Sequence, residues 1–127
     1  MKKIFGAIAA LAMMVGLAAC GTPANQGTTN PNQLVVGMEA GYPPFNWTQN
    51  DDSNGGVKIQ GTNQYAGGYD VEIAKLVAQK LGKELVIVKT EWDGLTPALI
   101  SGKIDVIIAG MSPTEERKAT IDFTDSY

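Results

Sequence analysis

The sequence predicts an α/β fold with a mainly parallel sheet and βαβ crossovers. Three short apolar runs rich in β-branched residues alternate with helical patterns, and the first two of these patterns end at a glycine. Strands that alternate with helices along a chain are typical of parallel sheets with right-handed crossovers. These patterns all lie within residues 34–127, which is enough for one small domain.

The predicted elements follow from the spacing of apolar residues. Strands are predicted at residues 34–38, 85–88 and 106–109. Helices are predicted from Asp70 to Gly82, from near Asp93 to Gly102, and from Thr114 onward. Asp and Thr are common at helix starts, because their side-chain oxygens accept hydrogen bonds from the first backbone N–H groups. Gly is common at helix ends, because it adopts the left-handed conformation there without strain.

A polar stretch between Trp47 and Gly67 does not fit the alternation of strands and helices. It is rich in Asn, Asp, Gly and Ser, which are typical of turns. Two interpretations remain open at this point: a hairpin that turns around Gly55 and Gly56, or a solvated loop.

Residues 1–19 are typical of a signal peptide. Lys2 and Lys3 precede an apolar run that would span roughly 24 Å as a helix, which is less than the ~30 Å hydrocarbon core of a bilayer. We therefore interpret the run as a cleaved signal rather than as a membrane anchor that is retained.

Cys20 is the only cysteine of the chain and directly follows this run. With the Leu-Ala-Ala before it and Gly21 after it, it resembles a bacterial lipobox, which implies cleavage before Cys20 and acylation of that residue. Such acylation would hold the protein at the outer face of the bacterial cell membrane. Residues 20–33 carry no charge and no large apolar side chain, so they are predicted to be a flexible tether.

The composition excludes several classes of function. Histidine is absent, so Ser-His-Asp and Cys-His catalysis and the usual nitrogen and sulfur metal sites are not expected. Without residues 1–19 the chain would have 108 residues, and the loss of Lys2 and Lys3 would move its formal charge from −3 to −5. This leaves too little basic surface for nucleic acid. A monomer without cofactor or metal is expected, although carboxylate chemistry stays open.

Candidate binding residues follow the predicted strands. In open α/β sheets, ligands bind outside the carboxyl ends of the strands. The candidates at those places are Glu39 and Tyr42 after the first strand, Trp92 after the second, and Gly110, Ser112 and Arg117 after the third.

Arg117 lies in the first turn of the last predicted helix. A cation there opposes the helix dipole, and a bound anion would relieve the conflict. A ligand carboxylate could accept two parallel hydrogen bonds from the guanidinium and others from Ser112 and nearby backbone N–H groups. The alternative is a surface ion pair between Arg117 and Glu116 or Asp93, which would contribute little energy.

The rings of Tyr42 and Trp92 follow neighbouring strands and could flank a small aliphatic group, although such rings are as well suited to a core. Glu39 directly follows an apolar strand. A carboxylate is costly to bury without a partner, so Glu39 either reaches solvent or meets a donor on a ligand.

Several segments together resemble the polar amino-acid-binding proteins of ABC importers, a family with the fold of periplasmic binding proteins. The resemblance covers nearly all of residues 34–127, and its strength lies in the order and spacing of the segments. They are Tyr42-Pro43-Pro44-Phe45, Gly68-Tyr69-Asp70-Val71-Glu72-Ile73-Ala74, Trp92-Asp93-Gly94-Leu95-Thr96-Pro97-Ala98-Leu99, Gly102-Lys103-Ile104-Asp105, Met111-Ser112-Pro113-Thr114-Glu115-Glu116-Arg117-Lys118 and Ile121-Asp122-Phe123-Thr124.

The resemblance implies roles for the candidate residues. Members of the family have two α/β lobes that close on one amino acid and deliver it to permease subunits. Arg117 would hold the ligand α-carboxylate with help from Ser112 and the Gly110 backbone, and Tyr42 and Trp92 would flank the side chain. A further candidate, Glu39, falls where relatives that bind glutamine or cationic amino acids carry an aspartate.

The chain also departs from the family. It has about half the usual length, so only the first lobe is expected and the second lobe is absent. A single lobe leaves the ligand ammonium unpaired, and we expect binding to be about millimolar or weaker, worth about 4 kcal/mol or less. Two other functions stay open: a dehydratase on the same fold, with Glu39 as general acid or base, and the ectodomain of a sensory protein.

Overall fold

The computed structural model describes residues 30–127. The predicted signal peptide, the acylated Cys20 and the tether up to residue 29 lie outside the described residues. In chain order the elements are β1 (Gln33–Met38), β2 (Gly41–Tyr42), β3 (Asn46–Gln49), a 3-10 helix (Ser53–Gly55), β4 (Val57–Lys58), β5 (Tyr65–Gly67), α1 (Tyr69–Leu81), β6 (Glu84–Lys89), α2 (Trp92–Ile100), β7 (Val106–Ile107) and α3 (Glu115–Lys118).

A parallel sheet with the strand order β6-β1-β7 forms the centre of the fold. β6 pairs with β1 along its whole length, whereas β7 pairs with it at two positions only. The third strand is therefore shorter than the predicted 106–109. The N–H of Ile108 still donates to the carbonyl of Gly37 (3.2 Å), and Gly110 then takes a left-handed conformation (φ 62°) that turns the chain. The predicted α/β class with parallel pairing is confirmed.

The polar stretch forms a second sheet, which is antiparallel and has the order β2-β3-β5-β4. Of the two interpretations left open, the hairpin around Gly55 and Gly56 is not formed, because β3 and β4 do not pair with each other. The chain does turn there, since the Gly56 N–H donates to the carbonyl of Ser53 (3.1 Å), and the side-chain amide of Gln49 donates to the carbonyls of Asp51 (2.8 Å) and Ser53 (2.7 Å). The hairpin lies between β4 and β5 instead.

The first helix differs from the prediction at its start and agrees with it at its end. α1 begins at Tyr69 after Gly68, so Asp70 is the second helical residue and does not cap the helix. The Asp70 side chain is fully buried and bonds outside the helix. Gly82 ends the helix in a left-handed conformation (φ 64°), as predicted.

The core lies between the parallel sheet and the helices. It contains the inward-facing residues of β1, β6, α1 and α2, and many of them have no exposed surface at all. Those without exposed surface include Val36, Met38, Val71, Ala74, Ile87 and Leu95.

Replacing Leu95 by alanine is expected to lower the free energy of unfolding by about 2–5 kcal/mol, because the side chain is completely buried and its removal leaves a cavity. Chemical denaturation followed by circular dichroism measures this. The matched control is Leu76→Ala on the outer face of α1, where the side chain is 55% exposed and a change within about 0.5 kcal/mol is expected. Equal losses in the two variants would contradict this account of the core.

Within residues 30–127, none of the helices combines the length and the apolar character that are needed to cross a bilayer.

Candidate functional site

The parallel sheet brings the predicted site residues to one edge. β1, β6 and β7 run in the same direction, so the segments that follow them emerge side by side. Glu39 comes directly after β1, Trp92 opens α2 after β6, and Gly110 follows β7. This edge is the one at which open α/β sheets bind their ligands.

Arg117 is held in place by two neighbouring groups. Its Nη1 donates to the carbonyl oxygen of Ser112 (2.8 Å), and its guanidinium carbon lies 5.5 Å from the centre of the Trp92 ring, a distance typical of a cation–π contact. Thr114 caps α3 as predicted, since its hydroxyl accepts from the Arg117 backbone N–H (3.2 Å). The sequence thus places the cation correctly in the first turn.

The Arg117 guanidinium is not neutralised by a carboxylate of the described residues. The ion pairs of residues 30–127 are Lys75 with Glu72 and Lys118 with Glu115, and neither involves the predicted alternatives Glu116 or Asp93. The surface ion pair considered for Arg117 is therefore not formed, and its charge is available to an anion.

A cavity of about 490 Å³ surrounds this arginine. Its walls contain the arginine, an aromatic ring, two carboxylates and several threonines; the lining residues are Trp92, Asp93, Thr96, Met111, Thr114, Glu116, Arg117 and Thr120. A second cavity of about 530 Å³ has a largely apolar lining that runs from Val88 to Ile104 and includes none of the predicted site residues. We assign the candidate site to the first cavity, because it combines a cation with an aromatic wall.

Ser112 contributes differently from the expectation. The sequence predicts a free hydroxyl that points at a ligand, whereas the contact formed here is made by the Ser112 carbonyl with Arg117. The residue is exposed, and within residues 30–127 its hydroxyl makes no hydrogen bond. The hydroxyl is thus accessible, and the carbonyl has a second role as a support for the guanidinium.

Tyr42 is not among the residues that line this cavity, whereas Trp92 is. Its ring stacks on Phe45 with 5.1 Å between ring centres, and its edge would be 3.6 Å from a Cβ placed on Gly110. The ring is 50% exposed, so one face is accessible. The structure therefore brings Tyr42 to Gly110 and Trp92 to Arg117, and the segment from Gly110 to Arg117 connects these two contacts.

Glu39 is partly buried at the end of β1. Its carboxylate lies 3.5 Å from the place where a Cβ on Gly41 would be, and among the described residues it forms neither a hydrogen bond nor an ion pair. A partly buried carboxylate without a partner is suited to accept a hydrogen bond from a cationic or amide group.

A buried polar network beside the site is not predicted from the sequence. Asn46 and Asp70 are fully buried, and the Asn46 side-chain amide donates to Asp70 Oδ2 (2.7 Å). The Tyr127 hydroxyl donates to Asp70 Oδ1 (2.6 Å). Burial raises the pKa of Tyr127 well above its usual range, and the adjacent Asp70 raises it further, while a backbone hydrogen bond from Gly110 acts in the opposite direction.

Metal binding finds no support in the structure. Within residues 30–127 no three acidic, histidine or cysteine side chains come together in a way that could hold a metal ion.

The sequence is similar to a defined family of bacterial proteins. Residues 34–127 match the bacterial extracellular solute-binding proteins, family 3. The arginine-binding extracellular protein ArtP of Bacillus subtilis is 32% identical over 127 residues, which is all of this chain and 45% of that protein. The chain spans less than half the length of the curated relatives it matches.

Solved structures agree with this similarity. The arginine-bound form of domain 1 from TmArgBP is 45% identical, with a TM-score of 0.62, over 76% of this chain and 67% of that one. The ancestral amino acid-binding protein AncCDT-1, a precursor of cyclohexadienyl dehydratase, is 37% identical, with a TM-score of 0.61, over 74% of this chain and 36% of that one. The fold matches the first lobe of periplasmic-binding-protein-like structures, and the chain belongs to the bacterial extracellular solute-binding proteins of family 3.

Proposed function

We propose that this lobe binds the α-carboxylate of a polar L-amino acid through Arg117, as part of the solute-binding protein of an ABC importer. One observation about Arg117 carries the proposal. Ser112 and Trp92 hold its guanidinium at the cavity, and no carboxylate of the described residues forms an ion pair with it. An anionic ligand group would supply the missing counter-charge through two parallel hydrogen bonds. The Gly110 backbone and the Ser112 hydroxyl are the further donors that the proposal assigns to the same carboxylate.

A basic side chain, that of arginine in particular, is the ligand group that the other residues favour. Glu39 offers an unpaired carboxylate, and the half-exposed ring of Tyr42 offers an apolar face for the aliphatic stem. The Trp92 ring, which contacts the Arg117 guanidinium, would border the ligand at the carboxylate site. The arginine-binding ArtP and the arginine-bound domain 1 from TmArgBP support the same choice. Glutamine is the other candidate, since its amide could also donate to Glu39.

The proposal includes the place of action. Acylation at Cys20 would attach the protein to the outer face of the bacterial cell membrane, and residues 21–33 would let the lobe reach the permease subunits of the importer. The uncharged stretch after Cys20, which has no large apolar side chain, is the feature that supports the proposed tether. Radioactive palmitate labelling of the chain in bacteria tests this: loss of the label in Cys20→Ser is expected, and an equally labelled variant would contradict it.

Titration of the purified 127-residue chain with arginine, lysine, histidine, glutamine and glutamate tests the ligand class. Arginine is expected to bind best, with a Kd of about 1 mM or weaker, because the lobe alone leaves the ligand ammonium unpaired. Nuclear magnetic resonance, which follows weak binding through the Trp92 indole signal, is the measurement. Micromolar affinity would contradict the weak binding that is expected of one lobe, and no response to any of the five at about 50 mM would contradict the function.

Replacing Glu39 by glutamine is expected to weaken arginine binding about 10-fold and to change glutamine binding less than about 2-fold, since only arginine brings a positive charge to this carboxylate. The matched control is Glu84→Gln at the opposite end of the sheet, which makes the same change in net charge away from the site. An equal loss for both ligands, or the same loss in the control, would contradict the role of Glu39.

A dehydratase is the second candidate, because the similar protein AncCDT-1 is a precursor of such an enzyme and the Glu39 side chain is free to act as a general acid or base. The relatives named above are otherwise binding proteins. Incubation of the chain with prephenate and arogenate separates the two functions, since product formation that is lost in Glu39→Gln would favour the enzyme.

A further inference from the structure

The carboxylate of Asp70 is the most deeply buried charged group of this region. It has no exposed surface, and within residues 30–127 no cation lies within ion-pair distance of it. Burying a carboxylate is costly unless hydrogen bonds satisfy it. Here two neutral donors do so, one on each oxygen: the Asn46 amide at 2.7 Å and the Tyr127 hydroxyl at 2.6 Å.

The first of these bonds leads to the segment that carries Glu39 and Tyr42. Asn46 uses its amide nitrogen for Asp70 and its amide oxygen to accept from the backbone N–H of Ala40 (2.7 Å). Ala40 has a left-handed backbone (φ 54°), which costs about 1–2 kcal/mol for a residue with a Cβ and must be held by its surroundings. The chain of bonds therefore fixes the turn between the two candidate ligand-binding residues.

The second bond leads to the segment that carries Gly110. The Tyr127 hydroxyl donates to Asp70 Oδ1 (2.6 Å), and the Gly110 backbone lies close enough to this hydroxyl to lower its pKa. A Cβ on Gly110 would lie 3.9 Å from Asp70 Oδ2 and 3.6 Å from the Tyr42 ring, so the two segments meet beside the carboxylate.

We propose that Asp70 is a positioning residue that fixes the Glu39–Tyr42 turn and the Gly110 segment relative to each other. The residues that contact the ligand side chain and those that bind the ligand carboxylate can then act on the same ligand. This inference rests on the proposed function. Asparagine has the same shape as aspartate but offers only one acceptor oxygen, so in Asp70→Asn one of the two donors faces an amide NH2 group in place of an acceptor.

The experiment compares arginine binding by the 127-residue chain in four forms: wild type, Asp70→Asn, Tyr127→Phe and the double variant. We expect affinity to fall about 10-fold in Asp70→Asn and about 3-fold in Tyr127→Phe, with no further fall in the double variant, because both changes break one network. Tyr69→Phe is the matched control. It removes a hydroxyl from the ring next to Tyr127, 5.9 Å away, and should bind arginine as the wild type does.

Loss of stability alone could also weaken binding, so a second measurement reports position directly. Amide resonances of Ala40 and Gly110, recorded without ligand well below the unfolding temperature, should both shift in Asp70→Asn and only weakly in Tyr69→Phe. A purely structural role would lower the unfolding temperature without moving these two amides together. If Asp70→Asn does not fold, Tyr127→Phe decides the matter, with weaker arginine binding and a shifted Gly110 amide as the expected result.

Two results would overturn the inference. The first is an arginine affinity equal to that of the wild type in folded Asp70→Asn or, if that variant does not fold, in Tyr127→Phe. The second is the absence of a shift in the amide resonances of Ala40 and Gly110. If the wild type binds none of the five amino acids, the proposed function fails, and the amide shifts still decide whether Asp70 positions the two segments.

Discussion

Replacing Arg117 by alanine is expected to weaken arginine binding about 30-fold or more. The guanidinium would donate two hydrogen bonds to the ligand carboxylate, each of a kind worth about 1.5–3 kcal/mol when charged groups are involved. Removal also exposes the Trp92 ring, which now lies 5.5 Å from the guanidinium carbon. Titration by nuclear magnetic resonance measures the loss, because the wild-type affinity is already weak.

Two variants separate recognition from net charge. Lys118→Ala removes the next cation along the chain, which is paired with Glu115 at 3.2 Å and does not line the cavity, and arginine binding should change less than about 2-fold. Arg117→Lys keeps the charge but cannot donate two parallel bonds, so an intermediate loss is expected. If Lys118→Ala weakened binding as much as Arg117→Ala, the carboxylate site would have to lie elsewhere.

Replacing Gly68 by alanine is expected to have the largest effect on stability, a loss of about 3 kcal/mol or more. Gly68 has a φ of 123°, which a residue with a Cβ rarely adopts, and the added Cβ would clash with the carbonyl of Phe45. That carbonyl also accepts from the Asp70 backbone N–H (2.8 Å), so the clash cannot be relieved without breaking this bond. A fall in Tm of about 12 °C or more in circular dichroism is the expected result.

Gly82→Ala is the control for backbone strain without a clash. Gly82 also has a left-handed backbone (φ 64°), but no atom lies within 4 Å of the added Cβ, so a loss of about 1 kcal/mol is expected. A Gly82 variant as unstable as the Gly68 variant would show that conformation, and not the contact with Phe45, causes the effect.

The fold could be predicted from the sequence where a pattern is local. Apolar runs and glycine ends located the three parallel strands and the end of α1, because hydrophobic periodicity and helix-end chemistry depend on neighbouring residues. The hairpin was misplaced because β3 and β4, the strands on either side of Gly55 and Gly56, both pair with β5 and not with each other. This choice of partner leaves no periodic signal.

The site could be predicted in part for the same reason. Arg117 and its cap Thr114 are three positions apart, so their relation follows from helix geometry. The network of Asn46, Asp70 and Tyr127 joins residues 24 and 57 positions apart, and only the tertiary fold brings them together. An aspartate near a helix start favours a capping role on general grounds, and the sequence gives no sign that this one is buried instead.

The bond from Arg117 to the Ser112 carbonyl has a consequence for the entropy of binding. A free arginine side chain samples many rotamers, and fixing such a side chain at a binding site costs about 0.5–1.5 kcal/mol. Here one N–H and the Trp92 ring already restrict the guanidinium through contacts within the lobe, so most of that rotamer freedom is lost when the chain folds. The ligand therefore meets a nearly rigid donor, and its carboxylate gains hydrogen bonds without having to immobilise the side chain that makes them.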